Sequence, residues 1–186
     1  DIYAADHPGL LSPAVASMPS RVYVPNTESN TVSVIDPSTY RVVATIPVGR
    51  QPQHVTPSWD LKTLWVLNDQ ANTLTKIDPM TGQKGRTLRV EDPYNMYYTP
   101  DGRFAIVVAE RRNRLMFRDA RTFALNNELK VDCKGVDHMD FTLDGRYLIA
   151  SCEFSGTLIK VDVEKQVVVG TLLLDKKGMP QDVKTS

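Results

Sequence analysis

A chain of 186 residues that contains 22 Lys and Arg and 22 Asp and Glu has no net formal charge. This balance argues against a nucleic acid or an anionic membrane as a partner held by bulk charge. The length permits one sizeable domain with a real core, and no apolar run approaches the ~20 residues that a membrane helix needs. We therefore expect neither a nucleic-acid partner nor a transmembrane segment.

The first 20 residues, DIYAADHPGLLSPAVASMPS, are rich in Ala, Pro and Ser and show no useful alternation of polar and apolar residues. Two interpretations of this segment stay open. In the first, its start, DIYAA, is a strand that completes the last sheet of a closed fold. In the second, residues 1–20 are a linker at the mature end of an exported chain. The chain lacks an initial Met and a visible signal peptide, as expected of a processed or partial product.

Residues 21–186 repeat one pattern in three registers. The segments TVSVID, TLTKID, RLMFRD and TLIKVD end at aspartates separated by 42, 41 and 43 residues: Asp36, Asp78, Asp119 and Asp162. A second apolar segment ends ten residues before each of them, at Asn26, Asn68, Ala109 and Cys152. A third element ends in a turn at Lys62, Arg103 and Arg146. A fixed period of about 42 residues is typical of a repeat architecture.

Each period is predicted to contain four short strands. Runs of β-branched and aromatic residues alternate with turn residues, and Asp-Gly pairs at 101–102 and 144–145 predict tight hairpins. In one unit the strands are expected at about 95–99, 104–109, 114–119 and 126–131. Tight turns are expected to place a left-handed residue at Asn30, Asn72, Asn113 and Gly156.

Four antiparallel strands in about 42 residues predict a blade of a β-propeller, because one such sheet buries its two faces only by stacking on others. The stretch RVYVPNTESNTVSVIDPSTYRVVATIPVGRQPQHV resembles the YVTN-repeat β-propeller family, and the likeness extends over about residues 21–186. It is loosest in VVAERRNRLMFRDART, which keeps only the spacing. The family is similar to bacterial surface-layer propellers and to the haem-binding propeller of nitrite reductases, and seven blades are usual in it.

The expected fold is therefore all-β, a propeller of four-stranded antiparallel blades with about four of an expected seven present. The predicted repeats are about 21–58, 59–99, 100–142 and 143–186. Ser186 aligns with Ser58, Thr99 and Thr142, so that an inner strand is expected to begin before it. Seven blades need roughly 290 residues. We expect the remaining blades to come from a longer polypeptide or from a second protein chain.

The candidate site is a ring of polar residues at the start of the inner strands. The tetrads PQHV, PYNM, VDHM and PQDV each carry a polar third residue, namely His54, Asn95, His138 and Asp182. Blade geometry predicts these residues at the mouth of the central channel, on the face whose loops contain Glu110, Arg111 and Glu153. They either cap neighbouring backbone groups or bind a ligand. No metal or other cofactor is predicted, because His54 and His138 are two blades apart.

The two cysteines are predicted to lie at one blade junction. Cys133 precedes an inner strand and Cys152 ends the strand that follows it, 19 residues later. They form a disulfide or are two small buried apolar residues. A disulfide would indicate an oxidising compartment, and we expect an extracytoplasmic, secreted or cell-surface protein.

Two functional classes remain after this search. No Gly-x-Ser-x-Gly, His-Glu-x-x-His or P-loop motif is present, so no catalytic residue is assigned. The first class is a non-catalytic binding or scaffold module with a ligand site at the channel mouth. The second is a lactonase-like enzyme or a haem-binding redox domain, as the resemblance implies. The fold does not decide between them.

Overall fold

The computed structural model describes residues 7–175 and 177–185. Within these ranges the chain forms 15 β-strands, and its helical structure consists of two 3-10 turns, η1 (Glu110–Arg112) and η2 (Glu153–Ser155). The prediction of an all-β chain is confirmed.

The described strands form four antiparallel sheets, and each sheet is called a blade here. Blade 1 comprises β1 (Val22–Asn26), β2 (Thr31–Asp36) and β3 (Arg41–Pro47). Blade 2 comprises β4 (Pro52–Pro57), β5 (Leu64–Asn68), β6 (Thr73–Ile77) and β7 (Lys84–Arg89). Blade 3 comprises β8 (Asn95–Tyr98), β9 (Phe104–Ala109), β10 (Arg114–Asp119) and β11 (Leu125–Lys130). Blade 4 comprises β12 (Val136–Phe141), β13 (Tyr147–Cys152), β14 (Thr157–Asp162) and β15 (Val167–Leu173).

Strands that follow one another in the chain are neighbours in each sheet, so every blade is a simple meander. Blade 1 has three strands and the other blades have four. This is the arrangement of a partial β-propeller, as the period of about 42 residues predicted. The predicted repeat boundaries at 58, 99 and 142 fall just after the inner strands β4, β8 and β12. A sequence repeat is therefore offset from a sheet by one strand.

The described chain divides into two compact units. Residues 11–94 contain blades 1 and 2, whereas residues 95–175 and 177–185 contain blades 3 and 4 and are grouped with residues 7–10. In the first unit the core is built from β2, β3, β5 and β6, and includes Val32, Val66 and Ile77. In the second unit it is larger and includes Ile106, Phe117, Leu148 and Val161. Every residue of β9 after Phe104 is buried, because this strand packs on both of its faces.

The tight turns that precede β2, β6, β10 and β14 have the predicted left-handed residues. Asn30, Asn72, Asn113 and Gly156 have φ angles of 57°, 54°, 52° and 61°. Gly156 is required, since a Cβ atom there would collide with the backbone oxygen of Asp175. The carbonyl of each turn residue accepts a hydrogen bond from the chain that follows the outer strand. The four donors are the backbone N–H groups of Val48, Val90, Val131 and Leu174.

The two ends of the chain differ from the repeats. Residues 7–20 contain turns and bends and no strand, while the DIYAA segment lies outside the described residues. Residues 177–185 were expected to begin an inner strand, but the structure assigns no strand to them. A strand needs a neighbour to hydrogen bond with, and here the backbone N–H of Thr185 donates instead to the Asp140 carboxylate at 3.0 Å. Ser186 lies outside the described residues.

Candidate functional site

The inner strands β8 and β12 bring three polar side chains together. The amide nitrogen Nδ2 of Asn95 lies 3.3 Å from Nδ1 of His138, and the phenol oxygen of Tyr97 lies 3.0 Å from the same nitrogen. Asn95 Nδ2 also donates to the Tyr97 oxygen at 2.9 Å. Of these residues the sequence predicted Asn95 and His138. Tyr97 was missed, since it is two residues beyond the predicted position.

The surroundings of His138 favour the neutral form of its imidazole. Burial lowers its pKa, and the nearby Lys184 lowers it further, while Asp182 and Glu153 act in the opposite direction. A neutral tautomer with its proton on Nε2 lets Nδ1 accept a hydrogen bond from the Tyr97 hydroxyl. The cluster therefore presents hydrogen-bonding groups of fixed orientation at the start of β8 and β12.

A β-bulge near the start of β12 contains Asp137 and His138. The pairing of β12 with β13 shifts register between Val136 and Met139, so that these two residues lie in the irregular segment. Bulges re-aim side chains, and they are common beside binding sites. Here the bulge turns a carboxylate into the protein interior beside the half-buried imidazole.

Asp137 is 1% exposed and was not predicted as a site residue. Its Oδ1 accepts two hydrogen bonds, from the backbone N–H of His138 at 2.7 Å and from the Ser151 hydroxyl at 2.6 Å. Its Oδ2 is buried and has no hydrogen-bond partner among the described residues. Burial raises the pKa of Asp137 to about 6, and the charge of Glu153 raises it as well, against the lowering effect of its hydrogen bonds to Ser151 and His138.

The segment after blade 4 lies over this carboxylate. The Ser151 hydroxyl is 3.1 Å from the backbone oxygen of Gln181, and Gln181 Nε2 donates to Glu153 Oε1 at 3.1 Å. Glu153 is itself buried, with 8% of its surface exposed. Two carboxylates, Asp137 and Glu153, therefore face one buried region that Gln181 covers.

The cysteines fix Glu153 in place. Cys133 and Cys152 form a disulfide with their Cα atoms 5.9 Å apart. The backbone N–H of Glu153 donates to the Gly135 carbonyl at 2.8 Å, and that of Phe154 donates to the Lys134 carbonyl at 3.2 Å. The loop before β12 and the turn η2 are thus joined covalently and by hydrogen bonds, directly beside the two carboxylates.

The other predicted residues are placed as follows. His54 is the third residue of β4 in the first unit, and its Nδ1 lies 2.8 Å from the backbone oxygen of Tyr94. Asp182 is exposed, and its Oδ1 accepts the N–H of Val183 at 2.8 Å. Asn95 likewise accepts the N–H of Met96 at 2.8 Å. In each of these contacts a side chain caps a backbone group, as one of the two interpretations predicted. Asn95 makes its capping contact in addition to its contact with His138.

Glu110 and Arg111 lie in η1, where Arg111 is exposed and Glu110 is half-buried. Among the described residues, no three His, Cys, Asp or Glu side chains are grouped as metal ligands would be. No helix in residues 7–175 and 177–185 is long and apolar enough to cross a membrane.

One sequence signal for Asp137 existed. The second position of the inner-strand tetrad holds Gln53, Tyr94 and Gln181 in the other repeats, and an acid only at 137. A departure of one repeat from the others at a fixed position indicates a local role that the shared fold does not require.

A family model described as a YNCE-like beta-propeller matches residues 10–185. The chain belongs to this family. Membership of the YNCE-like beta-propellers confirms the prediction, made from the repeat motifs, that this chain belongs to a bacterial propeller family. A search of curated protein sequences finds no match.

Solved structures with the same fold include two named proteins. One is hydrazine synthase from Kuenenia stuttgartiensis, with a TM-score of 0.72 and 21% identity over 83% of this chain and 46% of that chain. Another is the dihydro-heme d1 dehydrogenase NirN in complex with DHE, with a TM-score of 0.65 and 19% identity over 86% of this chain and 35% of that chain. This YNCE-like chain thus spans about half the length of the first and about a third of the second. At these identities the likeness shows the fold.

Proposed function

We propose that this chain is part of an extracytoplasmic β-propeller that binds a small polar ligand, without catalysis, where β8 and β12 begin. The observation that carries the proposal is the convergence of Asn95 and Tyr97 on Nδ1 of His138. An amide, a phenol and a neutral imidazole are groups that fix the orientation of a ligand by hydrogen bonds. They come from two different strands, so the site exists only in the folded protein.

The disulfide supports the extracytoplasmic location. Disulfides persist in oxidising compartments and are rare in reducing ones. The Cys133–Cys152 bond joins two segments beside the candidate site. An oxidising compartment therefore preserves the geometry on which binding depends.

Ligand titrations of the full-length protein test the proposal. We expect His138→Ala and Asn95→Ala to weaken binding of any ligand found in a panel of small polar compounds by about tenfold or more, as each removes an oriented hydrogen bond. His7→Ala is the matched control, because His7 is exposed and outside the repeats. Equal affinity of His138→Ala and wild-type protein would refute the site.

A second candidate function is a haem-binding redox domain. It is motivated by the neutral, half-buried His138, since imidazole is a common ligand of iron, and by the likeness of the fold to a protein whose structure contains DHE. His138 would be the residue that holds the iron. A visible spectrum of the purified full-length protein distinguishes the two candidates. A Soret band that His138→Ala abolishes would favour the redox function over the non-catalytic one.

We further propose that additional blades of the same polypeptide cover the outer part of blade 4. The strand β15 exposes an apolar row that includes Val169, Leu172 and Leu173. Ile149, Leu158 and Leu172 line a groove of about 450 Å³ on this blade. The solved structures with the same fold are longer than this chain, which favours blades over an unrelated partner as the cover.

A further inference from the structure

The site contains a buried acceptor for which the described protein supplies no donor. Oδ2 of Asp137 is shielded from water and accepts no hydrogen bond from residues 7–175 or 177–185, whereas Oδ1 of the same carboxylate accepts two. Burying a polar atom without a hydrogen-bond partner is costly, so such atoms are uncommon in folded proteins. An acceptor that is retained at this cost is a reasonable place for a ligand donor.

A second negative group lies beside the first. Glu153 is close enough for its charge to act on Asp137, and it is also largely buried. Two carboxylates in one buried region are unfavourable unless a cation or a proton compensates them. The region therefore favours a positively charged ligand over a neutral or an anionic one.

The segment that covers the region already offers a nitrogen donor. Gln181 Nε2 donates to Glu153 Oε1 at 3.1 Å, and Gln181 is exposed in a part of the chain without regular structure. A ligand N–H can take the place of this amide on Glu153 while it also reaches Asp137. A metal ion is disfavoured, because no three candidate ligand side chains are grouped among the described residues.

We propose that the ligand of this site carries a protonated primary amine, which donates hydrogen bonds to Oδ2 of Asp137 and to the carboxylate of Glu153. The inference rests on the proposed binding function and names the chemical class of its ligand. An ammonium group is compact and has three donors, which suits two buried carboxylates that are linked through Ser151 and Gln181. Asn95, Tyr97 and His138 then contact the rest of the ligand.

Calorimetry of the full-length protein with n-butylammonium tests this assignment, with n-butanol and butyrate as isosteric neutral and anionic probes. We expect saturable binding of the ammonium alone at pH 7.5 in 150 mM KCl. Asp137→Asn and Glu153→Gln should each weaken it by about 10- to 100-fold, since each removes a charge-assisted hydrogen bond. The matched controls Asp132→Asn and Glu164→Gln remove exposed carboxylates and should leave the affinity unchanged.

The pH dependence supplies a second readout. Protonation of Asp137 removes its negative charge, so affinity should fall as the pH drops below about 6, and Asp137→Asn should abolish this dependence. The other titratable groups that face this region are Glu153, His138, Asp182 and Lys184. Because they remain in Asp137→Asn, the variant isolates the contribution of one carboxylate.

The results distinguish a wrong amine assignment from a wrong binding function. If n-butanol or butyrate binds and the ammonium does not, and His138→Ala abolishes that binding, the amine assignment is wrong and the binding site stands. If no compound in the panel binds in a way that His138→Ala weakens, the proposed function fails as well. If Asp137→Asn does not fold, Glu153→Gln and the carboxyl carbon shift of Asp137 in wild-type protein on addition of the ammonium decide the question. An unchanged shift at saturating ammonium would overturn the amine assignment.

Discussion

Asp137 is a residue whose environment changes its acid strength. It is one of the most buried carboxylates in the described chain, and burial is the main cause of its raised pKa of about 6. A carboxyl group whose pKa is higher in the folded than in the unfolded state stabilises the fold at low pH. That contribution is complete below the unfolded value of 3.8 and is lost as the pH rises through about 6.

Asp137→Asn should therefore change how stability depends on pH. We expect the free energy of unfolding of the wild-type protein to fall, relative to the variant, by up to about 3 kcal/mol between pH 4 and pH 7.5. Urea unfolding at a series of pH values measures the difference. Asp132→Asn, which replaces an exposed carboxylate of the preceding loop, should run parallel to wild-type protein. A constant difference between Asp137→Asn and wild type across this range would contradict the burial effect.

The sequence predicted some residues of the site and could not predict others. Asn95 and His138 were found because they share one position of a repeated tetrad. Tyr97 was missed because only the approach of β12 to β8 makes it a neighbour of His138. Asp137 departs from the Gln or Tyr of the other repeats, but its burial depends on the bulge in β12 and on the approach of Gln181, which no sequence pattern encodes. The sequence grouped His54 with His138 as a ring, and that grouping stays a prediction.

At the scale of elements, aspartates define the turns. Asp36, Asp119 and Asp162 end β2, β10 and β14, and Asp78 directly follows β6. Their side chains accept backbone N–H groups two or three residues later. The pKa of each group is lowered because hydrogen bonds stabilise the ionised carboxylate, at Asp36 mainly the bond from the Ser38 hydroxyl and at the other three mainly these backbone N–H bonds. Such contacts stabilise the fold above the unfolded pKa and are lost as the pH falls.

Asp78→Ala should destabilise the protein at neutral pH and much less in acid. The backbone N–H of Thr81, followed by that of Met80, lowers the pKa of Asp78, and both bonds disappear in the variant. The difference in unfolding free energy should shrink as the pH falls below 3.8. Asp78→Asn keeps an acceptor oxygen, so it should cost less and show no such pH dependence. Equal costs for both variants at neutral and acid pH would rule out the charged turn.

The disulfide should stabilise blade 4, because it links the loop before β12 covalently to the end of β13. Its two cysteines are 19 residues apart, and closing a loop of this size restricts the unfolded chain by roughly 3 kcal/mol in the chain-entropy model. We expect dithiothreitol to lower the urea midpoint of the wild-type protein. The double variant Cys133→Ala/Cys152→Ala should start at a low midpoint that dithiothreitol does not change. A midpoint insensitive to reductant in wild-type protein would contradict this expectation.

Local turn chemistry was the most predictable level of the structure. Asn30, Asn72, Asn113 and Gly156 were expected in the left-handed region from their spacing alone, and all four have positive φ. The predicted strands of blade 3 agree with the structure to about one residue at their ends. The order of the chain after β15 was less predictable, because an inner strand requires a partner strand as well as a suitable sequence.

At the scale of the whole molecule, the outer edge of blade 4 is the notable surface. Leu172 is 59% exposed on β15, beside other apolar side chains of the same strand. An apolar row on the edge strand of a sheet favours association with another chain. If further blades cover it in the full-length protein, the isolated 186-residue chain should associate with itself.

Light scattering of that isolated chain measures the effect. We expect oligomers or aggregates, and we expect Leu172→Lys to reduce them because it places a charge in the apolar row. Leu143→Lys is the matched control, since Leu143 is 74% exposed in the turn between β12 and β13. A monodisperse monomer of 20.8 kDa with a cooperative melt would show that the described blades need no cover.

The hydrogen bonds from the tight turns have a consequence for how the protein is made. In every blade the carbonyl of the left-handed turn residue is bound by an N–H group 18 residues later, as in Asn30 with Val48 and Gly156 with Leu174. Blades are therefore closed by short-range contacts, and short-range contacts form quickly. A ribosome adds residues slowly by comparison. The hydrogen bonds of each sheet of about 40 residues can thus form soon after that sheet leaves the exit tunnel, while its apolar faces stay exposed until the neighbouring blade emerges and packs against them.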